Sequence, residues 1–187
     1  MGLDMHLKRK KYIGANYDWN NITGKIELYK KDKLIPIELN KVSYIEEEVA
    51  YWRKANQIHK WFTDQFETFE NCDEKYISTD KLQELLNICK TIKEKVVMKK
   101  GKVANGQTLT EDGWVDNLEE GEYIENPEIC EELLPTESGF FFGSTAYDQW
   151  YMQDIDYTIK ILEEILKEEE EYNNNGFYSD YYYTANW

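Results

Sequence analysis

The stretch Gly139–Leu166, GFFFGSTAYDQWYMQDIDYTIKILEEIL, combines the signals of a strand, a turn and a long helix. The three phenylalanines between Gly139 and Gly143 are too few for a helix and have the aromatic character of a strand. Thr145 and Asp148 match the capping box [ST]-x-x-[DE], whose side chains satisfy backbone amides at the start of a helix. We therefore predict a strand that ends at Gly143 and a helix that Thr145 caps.

The apolar residues of this predicted helix recur every three or four positions, which is typical of an amphipathic helix. They are Tyr147, Tyr151, Ile155, Ile159, Leu162 and Leu166. Four glutamates, Glu168–Glu171, stand at its end, where they oppose the helix macrodipole and predict fraying. The tail FYSDYYYTANW (177–187) has alternating aromatic residues and is predicted to return as a final strand.

Near the N-terminus, the segment GKIELYKKDKLIPIEL (24–39) predicts a small antiparallel hairpin. Its apolar residues alternate with the period of two expected of half-buried strands. They are Ile26, Leu28, Ile35, Ile37 and Leu39. Pro36 has no N–H to donate to a neighbouring strand, so its strand should lie at a sheet edge or bulge there.

Helical spacing predicts two more helices. The first runs from Tyr44 to Phe66 and contains YWRKANQIHKWF (51–62), whose apolar residues lie within a narrow arc. The second begins near Thr79, a favourable N-cap, and carries an apolar stripe that includes Cys89. Together these elements predict an α+β fold, in which a small antiparallel sheet of about four strands packs against about three helices in a single domain, 1–187.

Residues 97–133 interrupt these patterns. Asn105-Gly106 and Asp112-Gly113 are strong turn signals, and the surrounding residues are mostly acidic. We therefore predict that 97–133 is an acidic, partly mobile insertion within the domain, and that it contains a short hairpin.

Several classes of protein are excluded by composition. No apolar run is long enough to cross a membrane, and the N-terminus lacks the apolar core of a signal peptide. Cys72, Cys89 and Cys130 are odd in number and widely spaced, which favours free thiols in a reducing cytoplasm over a disulfide framework or a zinc site. We expect no metal and no cofactor.

The net charge of −15 is concentrated in the C-terminal part of the chain. It is +4 over residues 1–60, 0 over 61–110 and −19 over 111–187, where Lys160 and Lys167 are the basic residues. Such a surface repels nucleic acid and attracts basic partners. It is either a solubilising surface or a binding face, and in both cases we expect neither direct nucleic-acid binding nor membrane binding.

No motif in the chain indicates catalysis. The pattern Gly139-x-x-x-Gly143-Ser144 resembles a phosphate loop but lacks the lysine of the Walker A motif. Acidic pairs such as Asp154 and Asp156 do not face each other on a helix. His59 lies at the edge of an apolar arc, where a hydrogen-bonded core histidine is favoured over a base. We expect no enzymatic activity and no catalytic residues.

Four parts of the sequence resemble a group of small proteins encoded by bacteriophages, mobile elements and their low-GC hosts. They are MGLDM (1–5), YWRKANQIHKWF (51–62), LPTESGFFFGSTAYDQWY (134–151) and the C-terminal Trp187. The resemblance covers the chain from end to end in order, and the two central motifs are long and rich in rare residues. Members typically begin Met-Gly-Leu-Asp-Met-Tyr-Leu, whereas His6 replaces the tyrosine here, and the insertion is longer than expected.

The resemblance extends to phage-borne anti-CRISPR proteins that inhibit type II RNA-guided nucleases. Such nucleases hold nucleic acid in basic channels, so an acidic protein that enters or flanks a channel would block DNA binding or cleavage. The resemblance thus implies an anti-defence DNA mimic in the host cytoplasm, with a basic host protein or ribonucleoprotein nuclease as its partner. The acidic residues expected to bind that partner are Glu119, Glu120, Glu122, Asp154, Glu163, Glu164, Glu168 and Glu169.

Two other hypotheses remain open from the residues. A small ligand such as a signalling nucleotide could be sequestered by aromatic rings that stack on it and by Arg53, which would pair with phosphate. The residues of this pocket would be Trp52, Arg53, Asn56, His59, Phe142, Ser144, Tyr147 and Trp187. Alternatively, the same aromatic residues serve a structural accessory protein that forms a homo-oligomer.

Overall fold

The two ends of the chain meet at the centre of the main sheet. The structure, a computed structural model, describes residues 2–13, 27–111 and 113–187. Strand β1 (Asp4–Tyr12) pairs antiparallel with the C-terminal strand β8 (Ser179–Asn186), as the tail predicted. On the other side β1 pairs with β4 (Tyr44–Arg53), and β8 pairs with β5 (Glu74–Ile77). The sheet order is β4–β1–β8–β5, and the predicted α+β class is confirmed.

The main sheet buries one face under helices. Leu3, Met5 and Leu7 are fully buried at alternate positions of the N-terminal segment, because successive side chains of a strand point to opposite faces. Against this face pack helices α1 (Asn56–Thr63) and α4 (Gln149–Asn174). Helix α2 (Thr79–Lys95) lies against α4, and the short helix α3 (Glu128–Leu133) contacts α2.

The opposite face of the sheet carries charged and aromatic side chains. Lys10 crosses this face, where its ammonium group bonds Glu74 of β5 and lies 3.9 Å from the centre of the Tyr182 ring of β8. Lys8 bonds Glu74 as well, at 2.9 Å. These links join β1 to β5 across the strand that separates them.

The prediction of a helix from Tyr44 to Phe66 is wrong for its first half. Residues 44–53 form β4, in which Ala50 and Trp52 are buried and pair with Leu7 and Met5 of β1. A backbone φ of +61° at Lys54 then turns the chain into α1. Aromatic residues suit both helix and strand positions, and pairing with β1 decided in favour of the strand.

The start of α4 also differs from its prediction. Residues 139–143 form a tight turn rather than a strand, closed by a hydrogen bond from Phe142 N to the Gly139 carbonyl. The N-cap of α4 is Asp148 rather than Thr145, and its carboxylate accepts hydrogen bonds from the amides of Trp150 and Tyr151. Asp148 is extended because its backbone bridges to Tyr123, so the helix starts only after it.

Two smaller predictions are confirmed with shifted boundaries. The N-cap of α2 is Ser78, one residue before the predicted Thr79. The N-terminal hairpin consists of β2 (Leu28–Lys30) and β3 (Lys33–Ile35), which pair only with each other in the described sheets. Both strands are exposed, so the prediction of half-buried strands is wrong. Strand β3 ends before Pro36, and Leu39–Lys41 forms a 3-10 helix rather than a continued strand. Ile26, which was predicted in this hairpin, lies outside the described residues.

The predicted short hairpin within 97–133 is instead long. Strands β6 (Met98–Thr110) and β7 (Gly113–Ile124) pair over almost their whole length. Strand β6 ends at Thr110, which pairs with Gly113 at the start of β7, and Asp112 of the predicted turn lies outside the described residues. The predicted turn at Asn105-Gly106 is instead an irregularity in β6, where the register shifts between Ala104 and Gln107. The mobility of the insertion stays a prediction.

None of the helices in the described residues combines the length and the apolar character that crossing a membrane requires.

Candidate functional site

The base of the β6–β7 hairpin is anchored to the body of the protein. Ile124 is buried, and its amide donates to the Tyr147 carbonyl at 3.0 Å. Asn126 anchors the segment that leads into β6. Its side chain accepts a hydrogen bond from Val97 N at 2.8 Å and donates one to the Lys95 carbonyl at the end of α2. The hairpin therefore leaves the body from a defined position between α2 and α4.

A glycine lets the hairpin lie against the first turn of α4. The amide of Glu122 donates to Gln149 Oε1 at 3.0 Å. A Cβ on the neighbouring Gly121 would stand 2.5 Å from Val103 Cγ2 and 2.8 Å from Gln149 Oε1, both too close for ordinary contacts. Gly121 thus permits the close approach that fixes the base.

Beyond this base the hairpin extends into solvent. We call residues 105–111 and 114–119 the hairpin tip, and every one of them is exposed. Seven residues of β-strand span about 20 Å, so the tip extends about that far from the anchored base. Hydrogen bonds between side chains connect its two strands, for example from Thr108 Oγ1 to Asn117 Oδ1 at 2.8 Å.

One face of the tip carries three exposed apolar side chains. Trp114 pairs with Leu109 across the two strands, and Leu118 lies four residues further along β7. Cross-strand partners and alternate residues share a face, so these three side chains point to the same side. Trp114 is 67% exposed, Leu109 63% and Leu118 60%, so most of each side chain faces solvent.

The tip is also acidic and lacks cations. Residues 103–159 contain no lysine or arginine. Asp116 and Glu119 accept hydrogen bonds only from the neutral amides of Gln107 and Asn105 within the described part of the chain. Their negative charges, with that of Glu111, are therefore not compensated by an ion pair among the described residues. Glu120, just below the tip, lies opposite Lys102.

Two of the predicted acidic-face residues do not lie on an open surface. Glu169 is 4% exposed and accepts hydrogen bonds from the hydroxyls of Ser179 and Tyr181 at 2.5 and 2.8 Å. Asp154 accepts from Gln57 Nε2 at 3.0 Å. Burial raises the pKa of Asp154 to about 6 against the effect of that hydrogen bond, and the nearby Asp148 raises it further.

The predicted acidic residues at the far end of α4 are mostly paired with cations. Glu163 pairs with Lys90 at 2.6 Å, and Glu168 pairs with Arg9 at 2.8 Å. Glu164 is exposed. These residues lie about 20 Å or more along α4 from Gln149, which marks the hairpin base. The predicted acidic residues therefore do not form one face. Glu119, Glu120 and Glu122 lie on the hairpin, Asp154 lies near the start of α4, and the other four lie in its C-terminal half.

Arg9 joins the glutamate run of α4 to the main sheet. This buried arginine on β1 donates to Glu47 Oε2 at 2.9 Å and to Glu168 Oε2 at 2.8 Å. Burial raises the pKa of Glu47, but hydrogen bonds from Lys11 and Arg9 outweigh it and leave that pKa below its usual value. Helix α4 continues through the glutamates to Asn174.

The residues of the predicted ligand pocket are largely buried and bonded to one another. Asn56 Nδ2 donates to the carbonyls of Phe142 and Ser144 at 3.1 and 2.7 Å, and Asn56 Oδ1 accepts from the Glu137 amide. His59 is 2% exposed, and its Nδ1 forms a 2.8 Å hydrogen bond with the Tyr183 hydroxyl.

The His59 ring also contacts aromatic rings on two sides. The centres of the Phe142 and Trp187 rings both lie 5.1 Å from it. Burial lowers the pKa of His59 to about 4, so the ring is neutral at pH 7. Asn56, His59, Phe142, Ser144 and Trp187 thus lie close together, and their contacts attach the turn at 139–144 to α1.

The other three predicted pocket residues lie apart from this cluster or point elsewhere. Trp52 is buried and donates through Nε1 to Thr158 Oγ1 of α4 at 2.9 Å. Arg53 is mostly exposed, and its Nε lies 3.8 Å from the carboxylate of Asp4. The Tyr147 hydroxyl accepts from the Thr136 amide at 3.3 Å.

Two surface grooves lie away from the predicted pocket. One, of about 390 Å³, runs along α2 beside Leu133. The other, of about 560 Å³, lies between Arg9, Lys11 and Tyr172, where the charges already pair with Glu47 and Glu168. The described residues contain no group of three His, Cys, Asp or Glu side chains that could hold a metal ion, and their three cysteines are free.

The apolar residues of the tip were missing from the sequence-based candidates. A signal for them was present, because Asp112-Gly113 is flanked by Leu109 and by Trp114, Val115 and Leu118 within alternating polar residues. A turn dipeptide between alternating segments indicates a hairpin longer than the one predicted.

Comparisons of this chain with protein-family models, with curated proteins and with solved structures find no match.

Proposed function

We propose that this protein is an acidic anti-defence inhibitor that docks on the basic, nucleic-acid-binding surface of a host protein. The observation that carries the proposal is the hairpin tip, which extends from an anchored base and bears carboxylates without a compensating cation among the described residues. A surface of this kind is suited to enter a positively charged groove and to compete with phosphate groups there.

Electrostatics favours the tip over α4 as the first point of contact. The carboxylates of Glu163 and Glu168 are neutralised in part by Lys90 and Arg9. The carboxylates of Asp116 and Glu119 have no ion-pair partner among the described residues, so their electrostatic field is not reduced by a nearby cation. This field extends about 8 Å at physiological ionic strength. A basic partner is therefore steered toward the hairpin.

The class of partner comes from the sequence resemblance. Anti-CRISPR proteins that act on type II nucleases are a natural comparison, because an RNA-guided nuclease binds its target DNA in a basic channel. On this proposal the protein acts in the host cytoplasm, and it prevents either binding or cleavage of DNA. It needs no catalytic group of its own.

Inhibition of DNA cleavage tests the proposal directly. A purified, guide-loaded type II nuclease is incubated with increasing amounts of the protein, and cleavage of a matched DNA target is measured at low and at physiological salt. We expect inhibition that weakens as salt increases, because a contact between surface charges is screened. Unchanged cleavage at a large molar excess of the protein in both conditions would refute the proposed function.

Charge reversal locates the binding surface. The hairpin variant combines Glu111→Lys, Asp116→Lys and Glu119→Lys, and the control combines Glu164→Lys and Glu170→Lys, two exposed carboxylates of α4. We expect the hairpin variant to lose inhibition and the control to retain most of it. Loss of inhibition in the control alone would assign binding to α4 and contradict the role of the hairpin.

A further inference from the structure

We propose that Trp114, with Leu109 and Leu118, is an apolar anchor that inserts into an apolar pocket bordered by lysine and arginine residues on a partner protein. The inference rests on the proposed function for its partner class, and it adds the chemistry of the contact. The apolar side chains provide most of the affinity of the complex, and the surrounding carboxylates attract the basic partner.

Exposure of the anchor is not explained by folding. Ile124, an apolar side chain at the base of the same hairpin, is 4% exposed because it packs in the core of the protein. Trp114, Leu109 and Leu118 remain about two-thirds exposed at the end that extends into solvent. Large aromatic residues that are surrounded by polar groups are the side chains that dominate binding energy at protein interfaces.

The charges around the anchor select its occupant. Asp116 lies between Trp114 and Leu118 on the same face of β7, and Glu111 and Glu119 lie nearby in the tip. A second copy of the hairpin would bring equal charges together, and an anionic lipid surface or a nucleic acid would be repelled in the same way. A protein surface that has an apolar pocket bordered by basic residues can bind both the apolar side chains and the carboxylates of the tip. We therefore infer that the partner is a protein with such a surface.

Single substitutions separate the anchor from the charges. Trp114→Ala removes the largest apolar group from an exposed site, and Phe140→Ala is a matched control because Phe140 is 95% exposed on the turn at 139–143. Affinity for the guide-loaded nuclease is measured by calorimetry over a range of salt concentrations, after circular dichroism and thermal melting establish that both variants are folded.

The proposal predicts different effects for apolar and charged positions. Trp114→Ala should weaken binding by about thirtyfold, as expected for a central aromatic contact, and leave the salt dependence unchanged. Asp116→Asn with Glu119→Gln should reduce the salt dependence, and Phe140→Ala should bind like the wild type. Wild-type affinity of Trp114→Ala would overturn the anchor and leave the proposed function intact.

A second probe keeps the anchor testable if the nuclease does not bind. A synthetic peptide of alternating lysine and leucine is compared with a lysine and glycine peptide of equal charge, and tryptophan fluorescence is recorded for the wild type and for Trp114→Phe. We expect a blue shift with the leucine peptide in the wild type only. Equal spectra with both peptides would refute the anchor, as would a dimer in sedimentation equilibrium that Trp114→Ala abolishes.

Discussion

The guanidinium of Arg9 and the carboxylate of Glu168 lie 2.8 Å apart, although 159 positions separate them in the chain. Arg9 also bonds Glu47 of the neighbouring strand β4, so one buried cation joins the centre of the sheet, its edge and the C-terminal half of α4. Three residues that are distant in sequence therefore stabilise one another.

Substitution of this cation should be costly. Arg9→Met leaves Glu168 without its cation and leaves Glu47 paired with Lys11 alone, and we expect the free energy of unfolding to fall by about 2 kcal/mol. The expected loss is smaller than for a fully buried pair because Glu168 is 61% exposed. Lys90→Met is the control, since the Lys90–Glu163 pair is about half exposed and should contribute less than about 1 kcal/mol. Urea unfolding measures both, and equal losses would contradict the special role of Arg9.

Asn56 should be essential for the turn at 139–144. Its side chain makes three hydrogen bonds, to Phe142, Ser144 and Glu137, and it is 1% exposed. Asn56→Ala leaves these backbone groups without partners, which should cost about 2 to 3 kcal/mol of unfolding free energy.

The matched control for Asn56 is an exposed asparagine of α2. Asn87→Ala should change stability by less than about 0.5 kcal/mol. Limited proteolysis after Phe140 should accelerate in Asn56→Ala and remain unchanged in Asn87→Ala. If the turn is cleaved at the wild-type rate in Asn56→Ala, other contacts hold it in place.

His59 should make the protein less stable in acid. Burial lowers the pKa of His59 from 6.5 to about 4, so between these values the unfolded chain binds a proton that the folded protein does not. The contribution of His59 to the free energy of unfolding is therefore fully present above pH 6.5. It decreases by about 3 kcal/mol as the pH falls toward 4.

Replacement of His59 by glutamine removes this proton. We expect His59→Gln to be less stable than the wild type at pH 7.5, and this difference to shrink by about 2 kcal/mol at pH 4.5. Urea unfolding of both proteins at the two pH values measures this difference in unfolding free energy. A difference that does not depend on pH would contradict the lowered pKa.

Asp154 should act in the opposite direction. Burial raises its pKa from 3.8 to about 6, so the folded protein holds a proton that the unfolded chain releases, and stability from this residue is lost as the pH rises through 6. Asp154→Asn keeps an acceptor for Gln57 without the charge, and it should raise unfolding free energy at pH 8 by about 1 to 2 kcal/mol. At pH 4 the variant and the wild type should be equally stable, and a gain that persists there would refute the explanation.

Regular periodicity made several elements predictable from sequence. The stripes of α2 and α4 recur every three or four residues with buried Leu85, Cys89, Ile155 and Leu162, and each residue contributes to the same pattern. The final strand β8 was predicted from its alternating aromatics, of which Tyr181 and Tyr183 are buried. Local spacing is sufficient where one face of a long element is covered throughout.

Two predictions failed where a distant segment decides the conformation. Residues 44–53 are a strand because they pair with β1. The phenylalanines between Gly139 and Gly143 form a turn because distant residues bond it, Asn56 at the Phe142 carbonyl and Leu3 at the Phe141 carbonyl. The predicted acidic face divides in the same way, since Arg9 and Lys90 come from other parts of the chain to pair with α4. None of these partners is close in sequence.

The sequence by itself determined the α+β class, the amphipathic helices and the concentration of negative charge after residue 110, because these depend on composition and on the spacing of neighbouring residues. Only the tertiary structure decided which carboxylates are neutralised, which aromatic side chains are buried and which apolar ones remain on the hairpin tip. Those properties depend on contacts between residues far apart in the chain, and solvent exposure follows from such contacts alone.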